Sequence, residues 1–291
     1  VISASSEVVS APANPAPPSL ARLSVHTVTT KPWSLETCCR EYAEAGVPAL
    51  TVWRDALAAI GPARAAREIR AAGLRVTSLC RGGFFPALDA AGRARAIADN
   101  RAAIDEAAAI GAPLVVLVAG AVPGLPLADA RAMIADGIAA VLPHARAAGV
   151  KLAIEPLHPQ YAADRSAVNT MAQARKICED VNAAGDTTVG IAVDVYHVWW
   201  DDQLEVEISR AGRLGLLHAF HVCDWKVQPE DALNDRGLMG EGCIGIPAIR
   251  AGMENAGFHG DIEVEIFSKR WWAHDQRDYL RRIIAAYGSR V

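Results

Sequence analysis

Four side chains with metal-ligand chemistry close four successive apolar segments. They are Glu155 in AIEPLHP, Asp194 in AVDVYH, His221 in AFHVCDW and Glu265 in IEVEIFS. Three carboxylates and an imidazole form an oxygen- and nitrogen-rich set, suited to a divalent cation such as Mn²⁺, Mg²⁺, Co²⁺ or Zn²⁺. Each follows a run that reads as a buried strand, where an unpaired carboxylate is costly. Three buried carboxylates would also repel one another unless a cation neutralises them. The alternative is that each is paired with its own cationic neighbour, but such neighbours are few. Cys223 is the one cysteine in an equivalent position, so a thiolate site is not expected. Glu263 and Glu265 are two apart and share a face. Glu265, nearer the carboxyl end, is the expected ligand. Glu263 is expected to pair with a deeper Arg, Lys or His, or with one of the ligands.

Cationic residues close the early segments. His26 sits late in LSVHTV, Arg54 follows ALTVW, and Arg81 follows LRVTSLC. They could bind substrate hydroxyl, carboxylate or phosphate oxygens, or simply balance the carboxylates. Gly82-Gly83 reads as a flexible loop. Phe84-Phe85 reads as a wall of the site or as core.

These residues need a scaffold that brings strand ends together. Short β-branched runs lie at 23–28, 49–53, 74–79, 113–118, 150–155, 188–194, 216–222 and 261–267, each apolar as a doubly covered parallel strand should be. Ala-rich helical patterns alternate with them at 34–45, 61–72, 89–110, 127–148, 169–181, 203–212, 246–256 and 276–287. Gly46, Gly73, Gly111 and Gly149 stand where helices stop. No Gly-rich phosphate loop follows the first strand. Eight βα units within 291 residues predict an α/β fold, a single (β/α)8 TIM barrel, with function at the carboxyl ends of its strands. Residues 23–291 form that domain; residues 1–22, rich in Ala, Pro and Ser, read as a flexible tail, trimmed or processed, without the features of a signal peptide.

Composition narrows the classes. The chain is 52% hydrophobic and 21% charged, with net charge −4, which argues against nucleic acid or an anionic membrane as partner. No apolar run reaches the length of a membrane span. Six cysteines without C-x-x-C spacing read as free thiols, as in a cytoplasmic protein.

At its last four strand ends the sequence resembles the xylose isomerase-like TIM-barrel superfamily, the sugar phosphate isomerases and epimerases, over roughly residues 23–287. The resemblance implies one metal ion, Mn²⁺ first among the candidates, held by Glu155, Asp194, His221 and Glu265. The D-x-x-H spacing from Asp194 implies that His197 touches substrate, and GEGCIG (240–245) looks like the family's G-E-G turn. The chain departs from the endonuclease branch, which needs further histidines on the early strands. It departs from the epimerases too, with Tyr161 where they often carry Glu and Val227 where they often carry Arg, though Lys226 is adjacent.

The expected reaction is metal-assisted proton transfer next to a carbonyl of a sugar or cyclic polyol, through a metal-stabilised enediolate. Glu155 and Glu265 would exchange the proton, and His197 would polarise an oxygen or protonate a leaving group. His158, Trp225, Lys226 and Arg236 are further candidates for substrate contact; Trp199 and Trp200 could shield the site. The leading expectation is an isomerase or epimerase of carbohydrate metabolism. Its rivals are a lyase of the inosose dehydratase or 3-keto-glycoside β-elimination type, and a non-catalytic sugar-binding barrel. The resemblance also suggests a homo-oligomer, a dimer or tetramer.

Overall fold

The computed structural model describes residues 16–291. Eight parallel strands close into one barrel in sequence order. The first half runs β1 (Leu23–His26), α1 (Leu35–Glu44), β2 (Ala49–Trp53), α2 (Arg54–Ile60), α3 (Pro62–Ala71), β3 (Arg75–Gly83), α4 (Ala90–Ile110), β4 (Leu114–Val118) and α5 (Leu127–Ala148). The second half runs β5 (Lys151–Glu155), α6 (Met171–Val181), β6 (Val189–Asp194), α7 (Val195–Val198), α8 (Leu204–Arg213), β7 (Leu217–Val222), α9 (Ile246–Asn255), β8 (Ile262–Val264), α10 (Lys269–Trp272) and α11 (Gln276–Arg290). The expected (β/α)8 barrel is the observed fold.

The main core lies between strands and helices, where outward-facing residues such as Val25, Leu50 and Ile191 meet helix residues such as Tyr42, Ile104 and Ile283. The barrel interior is different. Small and medium residues, Cys80, Val116, Ala153, Ala192 and Ala219, fill its centre. Below them Ser24, Thr51, Thr77 and Ser78 form a hydroxyl-lined layer.

The structure departs from the expected elements in four places. There are eleven α-helices among the described residues rather than eight, because α2, α7 and α10 are short pieces at the strand ends. Gly82-Gly83 is no loop: both pair with β4, opposite Leu117 and Val118. Gly83 has φ +105°, and a Cβ there would meet the Val118 carbonyl oxygen at 1.9 Å, so close backbone approach demands glycine. β8 ends at Val264, leaving Glu265 one residue beyond it, with its N–H still bonded to Val222 O at 3.1 Å. Finally, residues 16–22 are docked: Arg250 donates to Ala16 O, Tyr287 to Ser19 O, and Leu20–Arg22 forms a 3₁₀ turn entering β1. The first fifteen residues of the expected tail lie outside the described residues.

All six cysteines are free, and all but Cys243 are buried. Among the described residues no helix is long and apolar enough to cross a membrane.

Candidate metal and active site

Strand register builds the site. Val118 pairs with Glu155, Asp194 with His221, and His221 with Glu263, so the ligand-type residues ride on adjacent strands at one end of the barrel. Each points inward above a small residue two positions earlier: Ala153 below Glu155, Ala192 below Asp194, Ala219 below His221. One ligand atom from each of Glu155, Asp194, His221 and Glu265 lies within 4.8 Å of the others, and all four residues are buried. The four predicted ligands are thus brought together.

The donor set fits a divalent cation. Adjacent donors held at about 2.1 Å from one ion are roughly 3.0–3.4 Å apart. His221 Nδ1 and Glu155 Oε1 are already 3.1 Å apart. A second grouping, His26, His221 and Glu265, also converges, one layer toward β1.

The charges within this interior are mutually compensated. Arg236 is the central counter-ion: its Nη1 donates to Asp194 Oδ2 and Glu265 Oε2, both at 2.8 Å, and it is 4% exposed. Its guanidinium lies over Tyr196 at 4.4 Å and near Phe267 at 5.1 Å. His26 Nδ1 meets Glu265 Oε1 at 3.0 Å. Burial opposes a charge on His26, but Glu265 and Glu263 overcome it and raise the imidazole to about 9. Burial likewise opposes His221, yet the hydrogen bond to Glu155 and the Glu263 charge lift it to about 10. Glu263 is held down to about 2 despite burial, by His26, His221 and Thr51. Its Oε2 accepts from Thr51 at 2.5 Å, Ser78 at 2.9 Å and Thr77 at 3.0 Å. The expected partner of Glu263 is therefore a histidine, His26. Burial and the neighbouring carboxylates push Asp194 upward, against the pull of Arg236.

His197 stands on α7, whose N-cap is Asp194 itself; Asp194 Oδ1 accepts from Tyr196 N–H at 2.9 Å. His197 Nδ1 accepts from the His158 backbone N–H at 3.2 Å, and its Nε2 lies 3.1 Å from Arg236 Nη2. Burial and the Arg236 charge push its pKa well below the ordinary value, so the ring is neutral. It can offer a substrate oxygen a neutral imidazole rather than a cation.

A cavity of about 130 Å³ opens over these groups, lined by Glu155, His197, Arg236 and Glu265 together with Arg81 and Arg165. Trp53, Phe84, Tyr161 and Phe267 are among its apolar walls.

Several expected contacts fall elsewhere. Arg54 turns away to α4, where it makes paired bonds to Asp99 (3.0 and 3.0 Å) and Glu106 (2.7 and 3.1 Å). Lys226 is engaged by both oxygens of Asp235. Trp225 and His158 stack on each other at 4.8 Å outside the cavity lining, and Trp225 also packs on Tyr196. Trp199 packs against the core, and Trp200 donates to His197 O.

Sequence reasoning underrated Arg236 and missed Arg165. Val227 is exposed, and the guanidinium comes from fifteen positions beyond His221 (236 − 221). A long excursion makes this possible. The Asp224–Gly237 and Asp235–Ser268 bridges flank Arg236 and aim it inward. Asp224 then accepts from Gly240 and Ile244 N–H groups and folds the GEGCIG turn. A Cβ at Gly242 would sit 2.0 Å from Trp225 O.

Comparison with known proteins places this architecture. The sequence profile of the family described as xylose isomerase-like TIM barrel matches residues 39–285. The crystal structure of protein SMc04130 from Sinorhizobium meliloti 1021 is 50% identical, with 92% of this chain and 98% of that chain covered and a TM-score of 0.89. The zinc-bound IolI protein is 20% identical, covering 91% and 96%, with a TM-score of 0.79. L-ribulose 3-epimerase is 22% identical, covering 92% of each chain, with a TM-score of 0.72. At the latter two identities the likeness is one of fold. No protein of curated function matches the sequence.

Proposed function

The chain belongs to the xylose isomerase-like TIM-barrel family, and from that premise we propose that it is a divalent-metal-dependent isomerase or epimerase of a small sugar or sugar derivative. The observation that carries the reading is the convergence of Glu155, Asp194, His221 and Glu265 within 4.8 Å beside a cavity that two of them line. The zinc bound by the IolI protein and the ketose chemistry named for L-ribulose 3-epimerase support it as analogies.

Glu155, Asp194, His221 and Glu265 would hold the ion, which when bound supplies a Lewis acid to polarise a substrate carbonyl. Glu155 and Glu265 reach the cavity from β5 and from the end of β8. Glu155 would use its second carboxylate oxygen to take a proton from, or return it to, a carbon next to the carbonyl, and Glu265 would do the same by giving up its contact with Arg236 or His26. Return to the neighbouring carbon gives isomerisation; return to the opposite face gives epimerisation. His197, neutral and buried, would orient a substrate hydroxyl by exchanging the contact of its Nε2 with Arg236 for one with substrate. Arg236 steadies Asp194 and Glu265 by bridging them. The aromatic walls shield the exchanging proton from solvent.

The test is incubation of Mn²⁺-loaded protein with ketoses and with inosose in D₂O. Deuterium appearing at the carbon next to the carbonyl, with an epimer or isomer as product, is the expected result. Loss of water from the substrate would replace the reading by a lyase. Glu265→Gln should lower turnover by at least about 100-fold, and unchanged turnover would remove Glu265 from the mechanism.

A further inference from the structure

The cavity has a second set of polar groups that proton transfer does not use. Arg81, on β3, and Arg165, in the segment between β5 and α6, both line it. Among the described residues neither guanidinium pairs with a carboxylate or donates a hydrogen bond. That is unusual within this chain. Its other covered arginines each donate to a partner: Arg22 and Arg250 to Glu254, Arg54 to Asp99 and Glu106, Arg175 to Glu207, Arg236 to Asp194 and Glu265, and Arg93 and Arg131 to the Ala87 and Ala167 carbonyls.

Aromatic faces hold these two instead. Arg81 lies over Phe84 at 4.3 Å, and Arg165 over Tyr161 at 5.7 Å. Tyr161 is fixed by its hydroxyl, which donates to Ala232 O at 2.6 Å. The backbone of Arg165 is pinned by its bond to Tyr161 O and by the neighbouring Ser166–Gly120 bridge. Stacking satisfies the flat face of a guanidinium and leaves its N–H edge free for a planar or tetrahedral oxyanion. The arrangement also has a standing cost: burial and the nearby Arg165 charge both disfavour the charge on Arg81. A bound anion would relieve both.

We infer that Arg81 and Arg165 form an oxyanion subsite, and that the substrate is a sugar derivative carrying a carboxylate or phosphate at the end remote from its reacting carbonyl. The β5–β8 side of the cavity takes the carbonyl end; the side formed by β3 and the segment after β5 takes the anion. The word "sugar" rests on the proposed isomerase or epimerase reading. The anion preference rests on the two arginines alone.

Three ketoses matched in carbon skeleton test it: D-fructose, D-fructuronate and D-fructose 6-phosphate. Their binding is measured by titration calorimetry on the wild-type chain, Arg81→Met, Arg165→Met and Arg81→Lys, each with Mn²⁺ and with chelator. One of the charged ketoses should bind at least about 10-fold more tightly than fructose, and the identity of the winner distinguishes carboxylate from phosphate. That advantage should shrink by roughly 10- to 100-fold in each Met variant, while Arg81→Lys keeps part of it. Raising NaCl on the wild-type protein should weaken the charged ligand and leave fructose unchanged, a readout that needs no variant to fold. Charged ketoses that bind no better than fructose, including a failure of all three to bind, would overturn the subsite. So would an advantage that survives in both Met variants. A preference without turnover leaves the subsite standing and removes the catalytic reading; turnover of fructose without preference does the reverse.

Discussion

Arg236 is the residue on which the interior charge balance turns. Asp194 and Glu265 are each almost fully buried, and its Nη1 bridges them at 2.8 Å. Removing one partner of a buried ion pair leaves uncompensated charge, at a cost of about 3–5 kcal/mol. Here His26 still faces Glu265, so Arg236→Met should fall at the lower end, about 3 kcal/mol, in urea unfolding with chelator present. Added Mn²⁺ should recover part of the loss, because the cation would sit among the same carboxylates. Unaltered stability would show that Arg236 is incidental to the charge balance. The arginine was hard to weigh in the sequence because distance along the chain from His221 misleads. What places it is a pair of backbone bridges at Asp224 and Asp235, which no local pattern announces. The ligands were more legible, and for a physical reason. AIE, AVD and AFH each set an alanine two residues before a ligand, so that a strand pointing a polar side chain inward has a small side chain beneath it. Glu263 breaks that pattern in EVE, because it belongs to the deeper hydroxyl-lined layer.

Among the elements, the long ones could be read and the short ones could not. Helices α4 and α5 run 21 and 22 residues and stop at Gly111 and Gly149 in left-handed conformation, the signals the sequence carries openly. By contrast, α7 and α10 have four residues each, too few to show a period, and depend on caps by Asp194 and Ser268. The first carries His197 to the cavity, and the second packs Trp272 against the lining residue Phe267, so short elements with little sequence signal stand beside the site. A barrel also needs its last helix fastened to its first. Glu41 on α1 accepts from Arg277 on α11 at 2.7 and 2.8 Å, and from Arg40. The hydrogen bond from Arg277 is the main reason the Glu41 carboxyl is held down to about 2. Its unfolded-state value is higher, near 4.5, so the folded state favours the ionised form. The stabilisation is therefore fully present above about pH 4.5 and is lost as pH falls toward 2. Arg277 is exposed, so solvent weakens the pair. Glu41→Gln should lower the melting temperature at pH 7 by no more than about 3 °C and carry a clearly smaller penalty at pH 2.5, where most of the pH-dependent stabilisation has gone. An equal loss at both pH values would point to packing rather than the ion pair.

At the scale of the whole molecule, the closed barrel decides how metal and fold are coupled. Small metal domains gain their folding free energy from the ion and unfold without it. This chain encloses an extensive apolar core between strands and helices, and its buried carboxylates already face His26, His221 and Arg236. The fold should therefore survive chelation, while still binding a cation better than the unfolded chain does, since the four donors converge only in the barrel. Linkage then sets the size of the effect: a ligand at a thousand times its dissociation constant stabilises by about 4 kcal/mol. With about 2–4 °C per kcal/mol in a large domain, Mn²⁺ should raise the melting temperature by roughly 8–16 °C over the chelated protein. Glu265→Gln should lose most of that rise and keep the barrel's circular dichroism. Two results would contradict the argument from opposite sides. Unfolding on chelation would mean the arginine and histidines do not balance the interior. Absence of any shift with Mn²⁺, Mg²⁺, Co²⁺ or Zn²⁺ would mean that the four converging donors serve the protein's own cations alone.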